Sequence, residues 1–273
     1  MRGKKLMSPR TAQILDKTLS RWRQWDTGLD NSLAEQPKVI QQLLGGLTNQ
    51  TFLAASGDFR AAVRVNAANT GFLGIDRDRE QLLLKALQSS GCVPKLLYAD
   101  GDAQVTELIR GRHLTVSDLA DTDIQYHLEN CISRIQTYVV ETISQRNYLS
   151  YIHLYSDQLT DFQGLTEIED AASIIDNSVW GPVIGHHDLI LENVIYDGQK
   201  MYFIDWEYAH LGHPLIDHIK LFGRDYCAKK ADMHTINALE TLQRGIEKLW
   251  YAVQDSQTKN HRESQEKKNE QAS

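Results

Sequence analysis

Cysteine is scarce in this chain: Cys92, Cys131 and Cys227 are the only three among 273 residues, far apart and without a Cys-x-x-Cys pair. An odd, scattered set excludes a disulfide scaffold and reads as the reduced thiols of a cytoplasmic protein. Long apolar runs are missing too, and none approaches the length needed to span a bilayer. Arg2, Lys4 and Lys5 are not followed by the apolar core of a signal peptide. Basic charge is short: 29 Lys and Arg stand against 36 Asp and Glu, a net charge of −7. That balance argues against a nucleic-acid binder, which needs a basic face, and suits a cationic ligand. What remains is ordinary for a globular protein, with 41% hydrophobic and 24% charged residues. The length permits one large domain or two lobes sharing a cleft.

The hydrophobic period changes along the chain. Ala12, Leu15, Leu19 and Trp22 recur at helical steps, which predicts an amphipathic N-terminal helix. Residues 39–44, 51–56 and 59–65 read as strands, the last two joined by Gly57-Asp58 as a hairpin. Asp76 opens a helix through Leu82, Leu83, Ala86 and Leu87, and Gly91 and Pro94 close it. Residues 96–99 and 104–109 are two further strands. Beyond Gly111 the pattern turns helical, and Ile124, Leu128, Ile132, Ile135, Val139 and Ile143 predict one long helix. A β island follows, with strands at 194–196 and 201–204. Ile236, Leu239, Leu242, Ile246 and Leu249 then mark a last helix. Residues 254–273 hold almost no apolar side chains and read as an unstructured tail.

One segment concentrates chemistry: His186 to Glu207, HHDLILENVIYDGQKMYFIDWE. Asp188 falls in a loop, Asn193 starts a strand and Asp205 ends the next, so the hairpin brings Asn193 and Asp205 side by side. A carboxylate and an amide carbonyl are hard oxygen donors suited to Mg²⁺. A carboxylate in the preceding loop suits the orientation and deprotonation of an acceptor hydroxyl. This set therefore points to phosphoryl transfer from ATP. The dipeptide His187-Asp188 also occurs in metal-dependent phosphohydrolases, but there it lies on a helix rather than between β-type runs.

His186-x-Asp188-x4-Asn193 followed by Ile204-Asp205-Trp206-Glu207 resembles the catalytic and metal-binding motifs of the aminoglycoside phosphotransferase and choline kinase superfamily. The wording is closest to choline-kinase-like and bacterial thiamine-kinase-like members. The resemblance implies an α+β, protein-kinase-like, two-lobed fold, with a small N-terminal antiparallel sheet lobe carrying one key helix and a larger, mainly helical C-terminal lobe. It makes Asp188 the catalytic base, Asn193 and Asp205 the Mg²⁺ ligands, and His186 and Asp217 structural residues. Glu207, with Trp206 and Tyr208, would line the acceptor side. The turn Gly45-Gly46-Leu47-Thr48-Asn49 is similar to the choline kinase phosphate loop. Arg64 matches the basic residue against the α- and β-phosphates, Glu80 matches its acid partner, and the segment Glu107 to Ile109 matches the hinge that holds adenine.

The expected organisation is an N-terminal helical extension over 1–38, a nucleotide-binding lobe over 39–109, a catalytic and acceptor-binding lobe over 110–253 and the tail over 254–273. The expected activity is an ATP-dependent, Mg²⁺-using kinase acting on a small hydroxylated and cationic metabolite such as choline, ethanolamine or thiamine. An aminoglycoside or sugar phosphotransferase of the same fold and a non-catalytic scaffold are the competing readings. Trp206, Tyr208, Trp250 and Tyr251 could form an aromatic cage for a cation or simply belong to the core.

Overall fold

The computed structural model describes residues 7–28, 33–43, 48–68 and 70–271, with side chains as far as 258. In chain order its elements are α1 (Pro9–Ser20), β1 (Lys38–Leu43), β2 (Gln50–Ser56), β3 (Phe59–Val65), α2 (Arg77–Ala86), β4 (Leu96–Ala99), β5 (Ala103–Glu107), β6 (Arg112–His113) and α3 (Thr122–Ile135). They continue with α4 (Tyr148–Ser156), α5 (Leu165–Asp176), β7 (Val183–Gly185), β8 (Val194–Tyr196), β9 (Met201–Phe203), β10 (His210–Gly212), α6 (Ile216–Phe222), α7 (Arg224–Cys227) and α8 (Met233–Gln271). The chain divides into two units: Met1–Thr70, Asp76–Val140 and Ile190–Ala209 form the first, and Gly71–Ile75, Glu141–Leu189 and His210–Ser273 the second. The division does not follow a single cut at 109/110, because the β8–β9 hairpin returns to pair with β6 in the first unit.

The first unit is built on an antiparallel sheet of order β1-β2-β3-β5-β4. The β2–β3 hairpin pairs Ser56 with Phe59, so its loop is the two residues Gly57-Asp58. Gly57 takes φ 55°, the left-handed backbone that the first position of a II′ turn requires. Strand alternation then decides what each face carries. Ala61, Val63 and Val65 of β3 point to one side, with Ala103, Val105, Phe52 and Ala54. There they bury the Ile14, Leu15 and Leu19 face of α1 and Trp25. Ser8 caps α1 by accepting the Thr11 N–H, with Pro9 in the first turn where its missing N–H is harmless. The intervening residue Arg64 is turned to the opposite face, toward α2. Asp76 caps α2, its side chain accepting the amides of Asp78 and Arg79.

A smaller sheet of order β6-β8-β9 completes this unit. At Gly111 a Cβ would stand 2.5 Å from the Tyr196 carbonyl oxygen, so only glycine lets β6 start here. The helix α3 stops at Ile135, and Val139, expected on its buried face, is 80% exposed. The β-branched run Thr137, Val139, Val140, Thr142 and Ile143 crowds χ1 in a helix and does not continue it.

The second unit is helical around a short β7–β10 pair. Ile236, Leu239, Leu242 and Leu249 of α8 are buried as their spacing predicts. At Gly245 an added Cβ would lie 2.6 Å from the Ile168 side chain, so glycine brings α8 close to α5. The backbone of α8 is helical to Gln271, through the segment read as an unstructured tail. No Gly or Pro interrupts 246–271, and Gln, Glu, Lys and Arg are good helix formers. Among the described residues, no helix is long and apolar enough to cross a membrane.

Candidate active site

The first unit holds Arg64, Glu80, Asn193 and Asp205, all expected to act on nucleotide and metal. Arg64 leaves β3 almost wholly buried, and its Nη2 donates to Glu80 Oε2 at 2.7 Å. Its Nη1 reaches Asp205 Oδ1 at 3.2 Å, and its Nε donates to Asn66 Oδ1 at 3.1 Å. Burial works against the Arg64 charge, but the Glu80 carboxylate, helped by Asp205 and Glu207, holds the guanidinium well above its ordinary range. Burial alone would raise Glu80, which is 1% exposed; the Arg64 and Arg77 guanidiniums outweigh it and hold the carboxyl below the usual range. Removing one partner of such a buried pair leaves an unmatched charge and costs about 3–5 kcal/mol.

Asn193 and Asp205 sit at one end of the β8–β9 hairpin. Val194 pairs with Phe203, and the Ile204 N–H donates to the Asn193 carbonyl at 2.9 Å. This hydrogen bond places the two residues on facing chain segments. Asp205 adopts φ 64°, a left-handed conformation that costs an L-residue of order 1–3 kcal/mol and recurs at functional sites. Its carboxylate is about one-third exposed. A carboxylate and an amide oxygen at a solvent-reachable edge fit Mg²⁺, which takes few protein ligands and completes its shell from phosphates and water.

Glu207 is only 4% exposed. Its Oε2 accepts from Asn49 Nδ2 at 2.8 Å and pairs with Arg77 Nη2 at 3.0 Å. Burial first, then the Asp205 carboxylate, push its carboxyl up to about 7 against the pull of Arg64, Arg77 and Asn49. Arg77 belongs to the charged run Asp76 to Glu80, which resembles the charged opening of this helix in the choline kinase superfamily, but the resemblance implies no role for it alone. The signal was its spacing: in α2 it stands three residues before Glu80, within reach of the same carboxylate.

Other expected site residues are placed less suggestively. Trp206 is 1% exposed with its indole N–H donated to the Phe203 carbonyl, and Tyr208 is buried. Both are core, not the lining of a cage, while Tyr251 is half exposed beside Trp250. Glu107 ends β5, and its carboxylate accepts the Lys95 N–H at 2.7 Å. Ile109 follows as irregular, half-buried backbone, and Thr48 is half-buried. Gly45, Gly46 and Leu47 lie outside the described residues.

The second unit holds the loop with Asp188. Asp217, in the first turn of α6, accepts the His186 N–H at 2.7 Å and the His187 N–H at 2.8 Å with its two oxygens. His186 Nδ1 accepts the Asp188 N–H at 3.3 Å. His187 has φ 64°. Gly212 makes this turn possible, since a Cβ there would lie 2.5 Å from the His187 ring and 2.6 Å from the Tyr148 hydroxyl. Asp188 itself is half-buried. Among the described non-glycine residues, His187 and Asp205 alone have positive φ. One directly precedes the expected base and the other is an expected metal ligand.

A sheet whose inner strand delivers an arginine to a helix-borne acid, followed by the acid–amide hairpin, is the arrangement of a protein-kinase-like fold. Solved structures agree on the fold. Choline kinase LicA from Streptococcus pneumoniae superposes with a TM-score of 0.70 at 22% identity, over 90% of this chain and 91% of that one. Aminoglycoside phosphotransferase APH(4)-Ia gives 0.60 at 15% identity, over 92% and 93%. The chain belongs to the choline/ethanolamine kinase family, whose model matches residues 40–271. Its relatives include mouse (Mus musculus) ethanolamine kinase 1, 24% identical over 68% of this chain and 58% of that protein. Protein LicA of Haemophilus influenzae is 23% identical over 69% and 59%. The chain thus spans less than two thirds of the length of these relatives.

Proposed function

We propose that this protein transfers the γ-phosphoryl group of ATP to the hydroxyl of a small amino alcohol of the ethanolamine or choline class. The observation that carries the reading is Arg64, charged and buried between Glu80 and Asp205. A guanidinium so held is oriented and charged before phosphate oxygens arrive. In the reaction a bond forms from the acceptor oxygen to the γ-phosphorus, the bond to the β-phosphate oxygen breaks, and ADP leaves. The hydroxyl proton passes to Asp188, whose loop Asp217 fixes through two backbone amides. Asn193 and Asp205 would hold Mg²⁺, which supplies neutralisation of phosphate charge. The segment from Gly45 to Asn49 would cradle the phosphates, and the backbone around Glu107 and Ile109 would meet adenine. The acidic balance of the chain favours a cationic acceptor, as do the named activities of the ethanolamine kinase relative and the LicA structure.

An ADP-release assay with Mg²⁺ over ethanolamine, choline, thiamine, an aminoglycoside and a sugar tests the reading. An amino alcohol is expected to give the highest kcat/KM. Asp188→Ala is expected to lower kcat by about 10²–10⁴-fold while Mg·ATP still binds. Turnover of the aminoglycoside alone would move the acceptor class, and absence of turnover with every acceptor would remove the kinase reading.

A further inference from the structure

Arg77 closes a ring of buried charge. Its Nη1 shares Glu80 Oε2 with Arg64, at 2.9 Å against 2.7 Å. Its Nη2 holds Glu207 Oε2 at 3.0 Å and Asn49 Oδ1 at 3.1 Å. Asn49 in turn donates to the same Glu207 oxygen at 2.8 Å and accepts the Ala67 N–H at 3.1 Å. The path therefore runs from Arg64 to Glu80, to Arg77, to Glu207, along two peptide units to Asp205, and back to Arg64 at 3.2 Å. The two acids of the Asp205-Trp206-Glu207 segment are split between two arginines, and Glu80 holds both arginines in place.

Stability alone does not account for this arrangement. Buried ion pairs roughly break even against well-packed apolar residues, because desolvation offsets their attraction. The side chains of Arg77 and Glu207 are 11% and 4% exposed, so the cost of desolvation is incurred. The ring also fixes a place that would otherwise relax. Asp205 is held in a left-handed conformation that its own local preferences oppose. Glu207, two residues on, is the anchor on the far side of that turn, and Asn49 ties the anchor to the start of β2.

We propose that Arg77 is a positioning residue for phosphoryl transfer: through Glu207 it fixes the Asp205 turn, and through Asn49 it fixes the chain entering β2. Arg77 touches neither phosphate nor metal in this role and acts through Glu207 and Asn49. A planar fork serving three partners cannot be replaced by a single ammonium.

The inference rests on the phosphotransferase reading, so its test includes a binding arm that needs no acceptor. Arg77→Met, Arg77→Lys, Glu207→Gln and the double variant Arg77→Met/Glu207→Gln would be compared with wild type. The measurements are thermal unfolding, kcat and KM, and the Mg²⁺ dependence of binding of a non-hydrolysable ATP analogue. Arg77→Met is expected to lower kcat at least about tenfold and to raise the Mg²⁺ concentration for half-maximal nucleotide binding at least about tenfold. The acceptor KM is expected to stay within about twofold. Arg77→Lys should recover part of the loss, and the double variant should be no worse than the worse single one, since the residues act as a unit. If Arg77→Met does not fold, Arg77→Lys and Glu207→Gln carry the same comparison. Unchanged Mg²⁺ dependence in the folded variants, or losses that add in the double variant, would overturn the proposal. If wild type turns over no acceptor, the activity reading fails while the binding arm still decides the role of Arg77.

Discussion

His213 illustrates how one buried side chain sets a response to acid. It is 6% exposed, and its Nδ1 accepts the Leu215 N–H at 3.1 Å while its own N–H donates to the Tyr148 hydroxyl at 2.9 Å. Burial lowers its pKa from 6.5 to about 4, so the folded protein keeps the ring neutral where the unfolded chain would protonate it. Above pH 6.5 neither state binds the proton and the contribution is level. As pH falls from 6.5 toward 4 the unfolded state gains protons first, and stability declines by up to about 3 kcal/mol. Urea unfolding of wild type and His213→Asn at pH 7 and pH 5 checks this, since the asparagine oxygen can still accept the Leu215 N–H. The variant is expected to lose much of the slope between the two pH values; an identical slope would assign the acid sensitivity elsewhere.

At the scale of elements, the contact between α5 and α8 turns on Gly245. In an exposed helix Gly→Ala stabilises by about 1 kcal/mol. Here the new methyl would overlap Ile168, and overpacking of this kind costs roughly 1–3 kcal/mol. Gly245→Ala is therefore expected to lower the urea midpoint; a raised midpoint would show that α8 can shift. The elements themselves were largely legible in the sequence. The strand period over 51–65 places Ala61, Val63 and Val65 on one face and sends Arg64 to the other, and Asp76 marks the start of α2. The overextension of α3 past Ile135 came from reading Val139 and Ile143 by spacing alone, when their β-branching opposes a helix. Asn193 and Asp205 were legible as neighbours because a short hairpin leaves no alternative. Arg77 was legible only as a neighbour of Glu80: its other partners Asn49 and Glu207 lie 28 residues before and 130 after it, and no periodicity reports a contact of that range. The burial of Trp206 was equally hidden: an aromatic beside a functional acid reads the same whether it faces ligand or core.

Over the whole molecule, the segments that make one unit are not contiguous. The first unit needs Ile190–Ala209 as well as everything up to Val140. Those late residues bring Val194, Met201, Phe203 and Trp206, all 1% exposed or less, together with the carboxylates that neutralise Arg64 and Arg77. A chain ending at residue 140 lacks both. It is expected to show no cooperative thermal transition and to bind an apolar dye, the marks of lost side-chain packing; a sharp transition would mean that the N-terminal sheet suffices alone.

The ring of charge has a consequence in time. During synthesis Arg64 and Glu80 leave the ribosome about 125–143 residues before Asp205 and Glu207, an interval of roughly 6–29 s at ordinary elongation rates. Through that interval Arg64 and Arg77 have Glu80 as an acid partner but neither Asp205 nor Glu207, so the ring cannot close. The arrival of the Asp205 hairpin is the event that completes it.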